Sequence, residues 1–116
     1  MISVVQRVRS AHVIAEAQEV GRIGLGLLVL VGAIRSDRER DVEYLARRLA
    51  TLRVFPDARG RMNLALPDVD GSVLLVSQFT LAADTRKGRR PSFGRAMPPD
   101  KAEALIIKLV ERLRRD

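Results

Sequence analysis

Ser77-Gln78-Phe79-Thr80 closes an apolar run with two hydroxyls and a carboxamide set around one phenylalanine. Hydroxyl, amide and intervening backbone N–H groups can hold a carbonyl or stabilise an oxyanion. None of them is a strong base, so the cluster suits a substrate that is already activated or brings its own acid–base group. The plainer reading is a strand that ends in polar residues. Immediately downstream, Arg86, Lys87, Arg89, Arg90 and Arg95 form a cationic loop with no acid after Asp84. Such a loop is either a solvated segment or a phosphate-binding one that steers a nucleic acid toward the polar cluster. Phe93, at its end, reads as a core anchor, with a stacking surface as the alternative.

Other chemistries find little support. His12 is the only histidine; it lies on an early strand-like segment with no recognisable nucleophile motif nearby, and reads as a partly exposed strand residue. With one histidine and no cysteine, a zinc site or a disulfide framework is not expected. Asp68 and Asp70 read as turn formers and Asp37 and Asp41 as helix-start residues, so no metal is expected. Gly24 and Gly26 precede a strand and not a helix, and no Gly-Lys-Ser/Thr occurs, which disfavours nucleotide hydrolysis. Aromatic residues are 3% of the chain, too few for a surface that stacks successive bases.

These groups must be positioned by a chain of 116 residues, read as one domain over 1–116. Its 47% hydrophobic and 30% charged residues are ordinary for a globular protein. The 21 Lys+Arg against 14 Asp+Glu leave a net charge of +7, which favours a polyanion such as RNA. An Arg-rich proteome would produce the same excess. The longest apolar run, residues 23–34, is broken by glycines and too short to span a membrane. No signal-peptide pattern opens the sequence. A cytoplasmic protein without a membrane partner is expected.

Residues 1–8 and 11–18 are rich in β-branched residues and read as strands; 20–24 either continue the second or begin another after a tight turn. Residues 25–34 read as a strand buried on both faces. Ser36 and Glu39 offer a capping box before a helix whose apolar stripe is Val42, Leu45, Ala46, Leu49 and Leu52, with Arg40, Glu43 and Arg47 outside it. Residues 53–66 read as two short strands around a turn at 56–60, and 67–71 as a further turn. Residues 72–79 read as a second buried strand, 80–97 as an ordered loop, and 98–116 as an amphipathic helix striped by Ala102, Leu105, Ile106, Leu109, Val110 and Leu113. Strands, helix, strands, helix, with no βαβ alternation, predict an α+β domain on a mostly antiparallel or mixed sheet.

The stretch "SQFTLAADTRKGRRPSF" (77–93) closely resembles the signature of the D-aminoacyl-tRNA deacylases. "QRV" (6–8), "IGLGLLVLVG" (23–32), "FPDARGRMNLAL" (55–66) and "PPDKAEALIIKLVERLR" (98–114) are similar to that family in the same order. The resemblance implies a barrel-like α+β fold with two main helices, and a cytoplasmic homodimer that uses no cofactor or metal. It implies hydrolysis of the ester between a D-amino acid and the 3′-terminal adenosine of tRNA, and of glycine mischarged onto tRNA for alanine. The reaction centre would be Ser77, Gln78, Phe79 and Thr80. The Phe79 backbone N–H and neighbouring polar groups would hold the substrate, and the RNA's terminal 2′-hydroxyl would carry much of the catalysis; whether Thr80 is a nucleophile stays open. Arg7, Lys87, Arg90, Pro91, Ser92 and Phe93 would support the pocket or the aminoacyl-tRNA 3′ end. No DNA partner is expected.

Members of that family continue past the second helix into a segment with a Gly-Pro pair, which enters the partner subunit's pocket and excludes L-amino acids. The 116 residues end at Asp116 and contain no Gly-Pro pair, so the expectation is a tail beyond them. Without it, an exposed sheet edge, weakened chiral selection and an Arg7 with nothing to hold are expected. The alternative from another class is a non-catalytic tRNA-binding remnant.

Overall fold

Among the described residues, seven strands and two helices follow in the order β1 (Ile2–Val8), β2 (Ala11–Ala15), β3 (Gln18–Ile23), β4 (Gly26–Gly32), α1 (Glu39–Thr51), β5 (Phe55–Pro56), β6 (Met62–Leu64), β7 (Ser72–Ser77) and α2 (Pro99–Arg115). Two short 3₁₀ turns cover Leu66–Val69 and Phe79–Ala82. This computed structural model describes residues 1–84, Arg86 and residues 89–115.

The central strand is β4. It pairs antiparallel with β1, Ile2 facing Gly32 and Val8 facing Gly26. On its other side it pairs in parallel with β7, from Gly26 beside Ser72 to Val31 beside Ser77. Alternation along β4 sends Leu27, Val29 and Val31 to one face, where all three are fully buried. There they meet Val42, Ala46 and Leu49 of α1, Leu105 and Leu109 of α2, and Phe55. Each such Val, Leu or Phe side chain contributes about 1.5–3 kcal/mol on leaving water, so the helix stripes read from 3.6-residue spacing supply the driving force. Leu28 and Leu30 point to the opposite face and are only half-buried. Burial on both faces is therefore complete on the helix side alone.

The β2–β3 hairpin lies against this second face, close enough that a Cβ on Gly21 would come within 2.9 Å of a Leu74 methyl. Its two-residue turn, Glu16-Ala17, holds both residues at positive φ, 51° and 64°, as a tight hairpin turn whose twist matches the strands requires. Strand 11–18 thus splits at Ala15, and β3 begins at Gln18. The barrel-like expectation is corrected. Among the described residues β2 and β3 pair only with each other, and β1 and β7 stand as edges of the mixed sheet, so no barrel closes. Val4, Ile14 and Val20 are left exposed on strands β1 to β3.

Helix α1 starts later than the capping-box reading placed it. Asp41 Oδ2, not Glu39, accepts a bond from the Arg38 backbone N–H, at 2.7 Å, and Ser36 is exposed ahead of the first turn. Asp37 does not cap the helix either; it is the one buried charged residue among those described, taken up with the Met1 ammonium.

Gly26 is fixed by space. A Cβ there would land inside the contact radius of the Ser72 carbonyl oxygen, where the parallel β4–β7 ladder begins, and a backbone obstacle cannot rotate away. Gly26→Ala is expected to cost about 2 kcal/mol, lowering Tm by roughly 10 °C. An unchanged melting curve would show that the ladder yields without cost.

Candidate functional site

The parallel pairing of β4 and β7 brings their carboxyl ends together beside the first half of α2, and a cleft of about 710 Å³ opens there. Crevices at the carboxyl ends of parallel strands are where such sheets present ligand sites. Gly32 and Ala33 form part of its floor, and Met97, Pro98, Ala102 and Ile106 form an apolar wall. Ser77 and Phe79 bring the polar cluster to its rim.

β7 stops at Ser77, two residues before the expected strand end, because Gln78 leaves the ladder. Its N–H still reaches the Val31 carbonyl at 2.7 Å, but its ψ of 92° turns the chain into the 3₁₀ turn Phe79–Ala82. That turn splits the tetrapeptide. Ser77 and Phe79 line the cleft; Gln78 and Thr80 are tied to each other, with the Gln78 Nε2 donating to the Thr80 hydroxyl at 2.5 Å. The first N–H groups of a helical turn have no acceptor within it, which leaves the Phe79 and Thr80 backbone donors without a partner inside the turn.

Phe93 is not a core anchor. It is 38% exposed and Phe79 59%, and the rings meet edge to face at 5.3 Å with an interplanar angle of 62°. Such a pair is worth about 0.5–1.5 kcal/mol beyond its area and makes an aromatic wall for the cleft. The adjoining core is already filled by α1, α2 and Phe55, and the Phe93 ring stays at the rim of the cleft against Phe79.

The segment bearing Phe93 is stitched back to the end of β4. Arg35 N–H donates to the Arg95 carbonyl at 2.9 Å and Met97 N–H to the Ala33 carbonyl at 3.1 Å. The Arg35 Nε also donates to the Gly94 carbonyl at 2.6 Å. Farther out, Asp84 and Ser92 exchange backbone bonds of 2.6 and 2.7 Å, closing the cationic loop at its base. The Arg86 guanidinium, followed by the Arg86 N–H, holds the Asp84 carboxyl well below the usual carboxylate range, and Asp84 raises Arg86 in turn. Arg86 is thereby committed to its own loop.

The remaining expected residues are dispersed. Arg90, Pro91 and Ser92 are exposed on the loop and do not line the cleft; Ser92 serves the loop base. Lys87 lies outside the described residues. Arg7 faces Leu27 while Ser3 faces Val31, which sets Arg7 four residues, about 13 Å, along the sheet from the Ser77 end. It donates to the Val54 carbonyl at 2.6 Å, so within one chain it braces the α1–β5 connection and does not join Ser77. His12 is an exposed strand residue opposite Arg22.

Two charged cleft residues escape sequence reading, Arg35 and Glu103. Arg35 comes three residues after the buried strand β4, in the connection where functional groups recur; Glu103 offers no signal beyond helical periodicity.

An apolar cleft with hydroxyl and aromatic groups at its rim, and arginines beside it, defines a small α+β protein suited to a ligand with an apolar part and an anionic part. Comparison with known proteins gives the family. The profile of the D-Tyr-tRNA(Tyr) deacylase family matches residues 4–116, and the chain belongs to that family. A D-aminoacyl-tRNA deacylase of Heliobacterium modesticaldum is 52% identical over 115 residues, covering 99% of this chain and 77% of the relative. One of Thermotoga petrophila is 54% identical over 114 residues, covering 98% and 76%. The chain therefore spans about three quarters of these relatives' length. Among solved structures, a c-Myc DNA unwinding element binding protein superposes with a TM-score of 0.91 at 37% identity, covering 97% of this chain and 76% of that one. A probable eukaryotic D-amino acid tRNA deacylase superposes with a TM-score of 0.84 at 17% identity, covering 97% and 66%; it shares the fold.

Proposed function

We propose that this protein hydrolyses the ester of D-aminoacyl-tRNA, and of glycine mischarged onto tRNA for alanine, releasing the amino acid and free tRNA as a proofreading step in translation. The observation that carries this reading is the relatives named D-aminoacyl-tRNA deacylase at about half identity over nearly the whole chain, combined with the cleft at Ser77 and Phe79.

Water adds to the ester carbonyl, the carbonyl oxygen becomes an oxyanion, and the ribose oxygen departs with a proton. Ser77 and the Phe79 N–H hold the carbonyl end, and the Gln78–Thr80 pair fixes the turn that presents them. Thr80 is a positioning residue in this reading, since its oxygen already accepts from Gln78. The RNA's 2′-hydroxyl, next to the ester, supplies the acid–base group this site lacks. The loop with Arg89 and Arg90 meets the acceptor-end phosphates. No helix among the described residues is long and apolar enough to cross a membrane, and a cytoplasmic setting fits a tRNA substrate. A homodimer would cover apolar residues that one chain leaves exposed, among them Val4, Ile14 and Val20.

Purified chain is expected to deacylate D-tyrosyl-tRNA faster than L-tyrosyl-tRNA. Equal cleavage of both would retain the hydrolase and remove its chirality. A folded chain that cleaves neither ester while binding tRNA would replace the reading with the non-catalytic remnant.

A further inference from the structure

α1 carries a second feature, away from the cleft. At roughly 100° per residue, Arg40, Tyr44, Arg47, Arg48 and Thr51 fall within about 100° of arc, directly opposite the buried Val42, Ala46 and Leu49. All five are exposed. Tyr44, the chain's single tyrosine, is 62% exposed and sits between the arginines.

The helix's acids do not neutralise this face. Glu39 pairs with Lys108 and Glu43 with Arg112, both across to α2, and Asp41 is spent on the Arg38 N–H. The Glu39 carboxyl is held below its ordinary value chiefly by that Lys108 bond. Every carboxylate of α1 is thus turned toward α2 or the helix start, and Arg40, Arg47 and Arg48 have no acidic partner among the described residues. A helix of net sequence charge near balance has been sorted into a neutralised inner flank and an unneutralised outer one.

We propose that this outer face of α1 is a second contact surface for the phosphodiester backbone of the substrate RNA, separate from the reacting end. The proposal rests on the deacylase reading for the identity of the RNA. The arginines span about 12 Å of helix, enough for successive phosphates, and arginine forks match phosphate oxygens in pairs. Tyr44 adds a planar surface for a sugar or an unpaired base. A lipid surface is the poorer fit, because a membrane-lying helix needs a broad exposed apolar face, and that of α1 is already buried against the sheet.

The test compares the wild-type chain with R40Q/R47Q/R48Q, and with R40K/R47K/R48K as the conservative control. Uncharged tRNA binding is titrated with KCl, and deacylation is measured on D-tyrosyl-tRNA and on D-tyrosyl-adenosine. The Gln variant is expected to melt as wild type and to bind tRNA about 10- to 100-fold more weakly at low salt. Its log K against log salt should be shallower by about 2 to 3, with cleavage of the short ester unchanged, and the Lys variant should restore the slope. Unchanged tRNA affinity and slope in the Gln variant would overturn the surface even if both esters are cleaved. So would a loss seen only on anionic vesicles or on duplex DNA, each titrated in parallel with the tRNA. A wild-type chain that cleaves neither ester, yet loses tRNA binding on Gln substitution, would keep the surface and overturn the deacylase reading alone.

Discussion

Gly32→Ala is expected to lower kcat on D-aminoacyl-tRNA by roughly 10-fold while the protein stays folded. A Cβ at this position would sit 2.7 Å from the Gln78 carbonyl oxygen and 3.2 Å from Leu81 Cβ. The backbone of Gly32 is not in the left-handed region, so alanine meets no conformational penalty there; the conflict is one of space. Relief comes most easily from the 3₁₀ turn Phe79–Ala82, which is short and lies at the protein surface, rather than from β4, which is held on both sides. The turn would shift outward by several tenths of an ångström, taking the Phe79 N–H with it and loosening the Gln78–Thr80 bond. Displacements of about 1 Å at a site that works by positioning cost on the order of 10²-fold, and a shift of about half that costs roughly 10-fold. The measurement is single-turnover deacylation with saturating enzyme, alongside a thermal melt. Wild-type turnover with an unchanged melt would show that the turn's placement does not set the rate.

Asp37→Ala is expected to remove about 3 kcal/mol of folding stability, a large share of the 5–15 kcal/mol typical of a whole domain. Asp37 is 5% exposed. Its Oδ1 accepts from the Met1 ammonium at 2.5 Å and its Oδ2 from the Ile34 N–H at 2.7 Å. Alanine would leave a cation buried without its anion and a backbone donor unpaired, the two costliest consequences of a single truncation. The damage extends to the cleft, because the turn that Asp37 closes is the one whose Ala33 and Arg35 backbones hold the Phe93–Met97 segment. Asp37→Asn keeps an acceptor for Ile34 and loses only the ion pair, so its urea midpoint should fall between those of wild type and Asp37→Ala. Equal midpoints for all three proteins would mean the buried pair contributes nothing net.

Both expectations concern residues that sequence reading passed over or misassigned. Gly32 belonged to a glycine-punctuated apolar run, and nothing local distinguishes a glycine needed for close approach from one at a strand end. Asp37 had the spacing of a helix-start residue; its burial depends on β1 delivering Met1 beside it, a contact between positions 36 residues apart. Phe93 was misplaced for the same reason, since an aromatic ring's assignment to core or surface depends on which other rings already fill the core.

What the sequence determined by itself was everything governed by local periodicity and chemistry. The stripes of α1 and α2, the apolar β4, the α+β order and the polar cluster beside a cationic loop all follow from side-chain spacing, whose energetic consequence is burial of one face. The 77–93 signature pointed to the family before any contact was known. Tertiary structure alone decided how those parts combine. It set β7 parallel to β4 so that Ser77 ends beside Gly32, turned Phe79 against Phe93, separated Arg7 from the cleft and left Arg40, Arg47 and Arg48 without an acidic partner among the described residues. Those outcomes rest on pairings between residues far apart in the chain, whose free energy belongs to the packed whole and to no single segment.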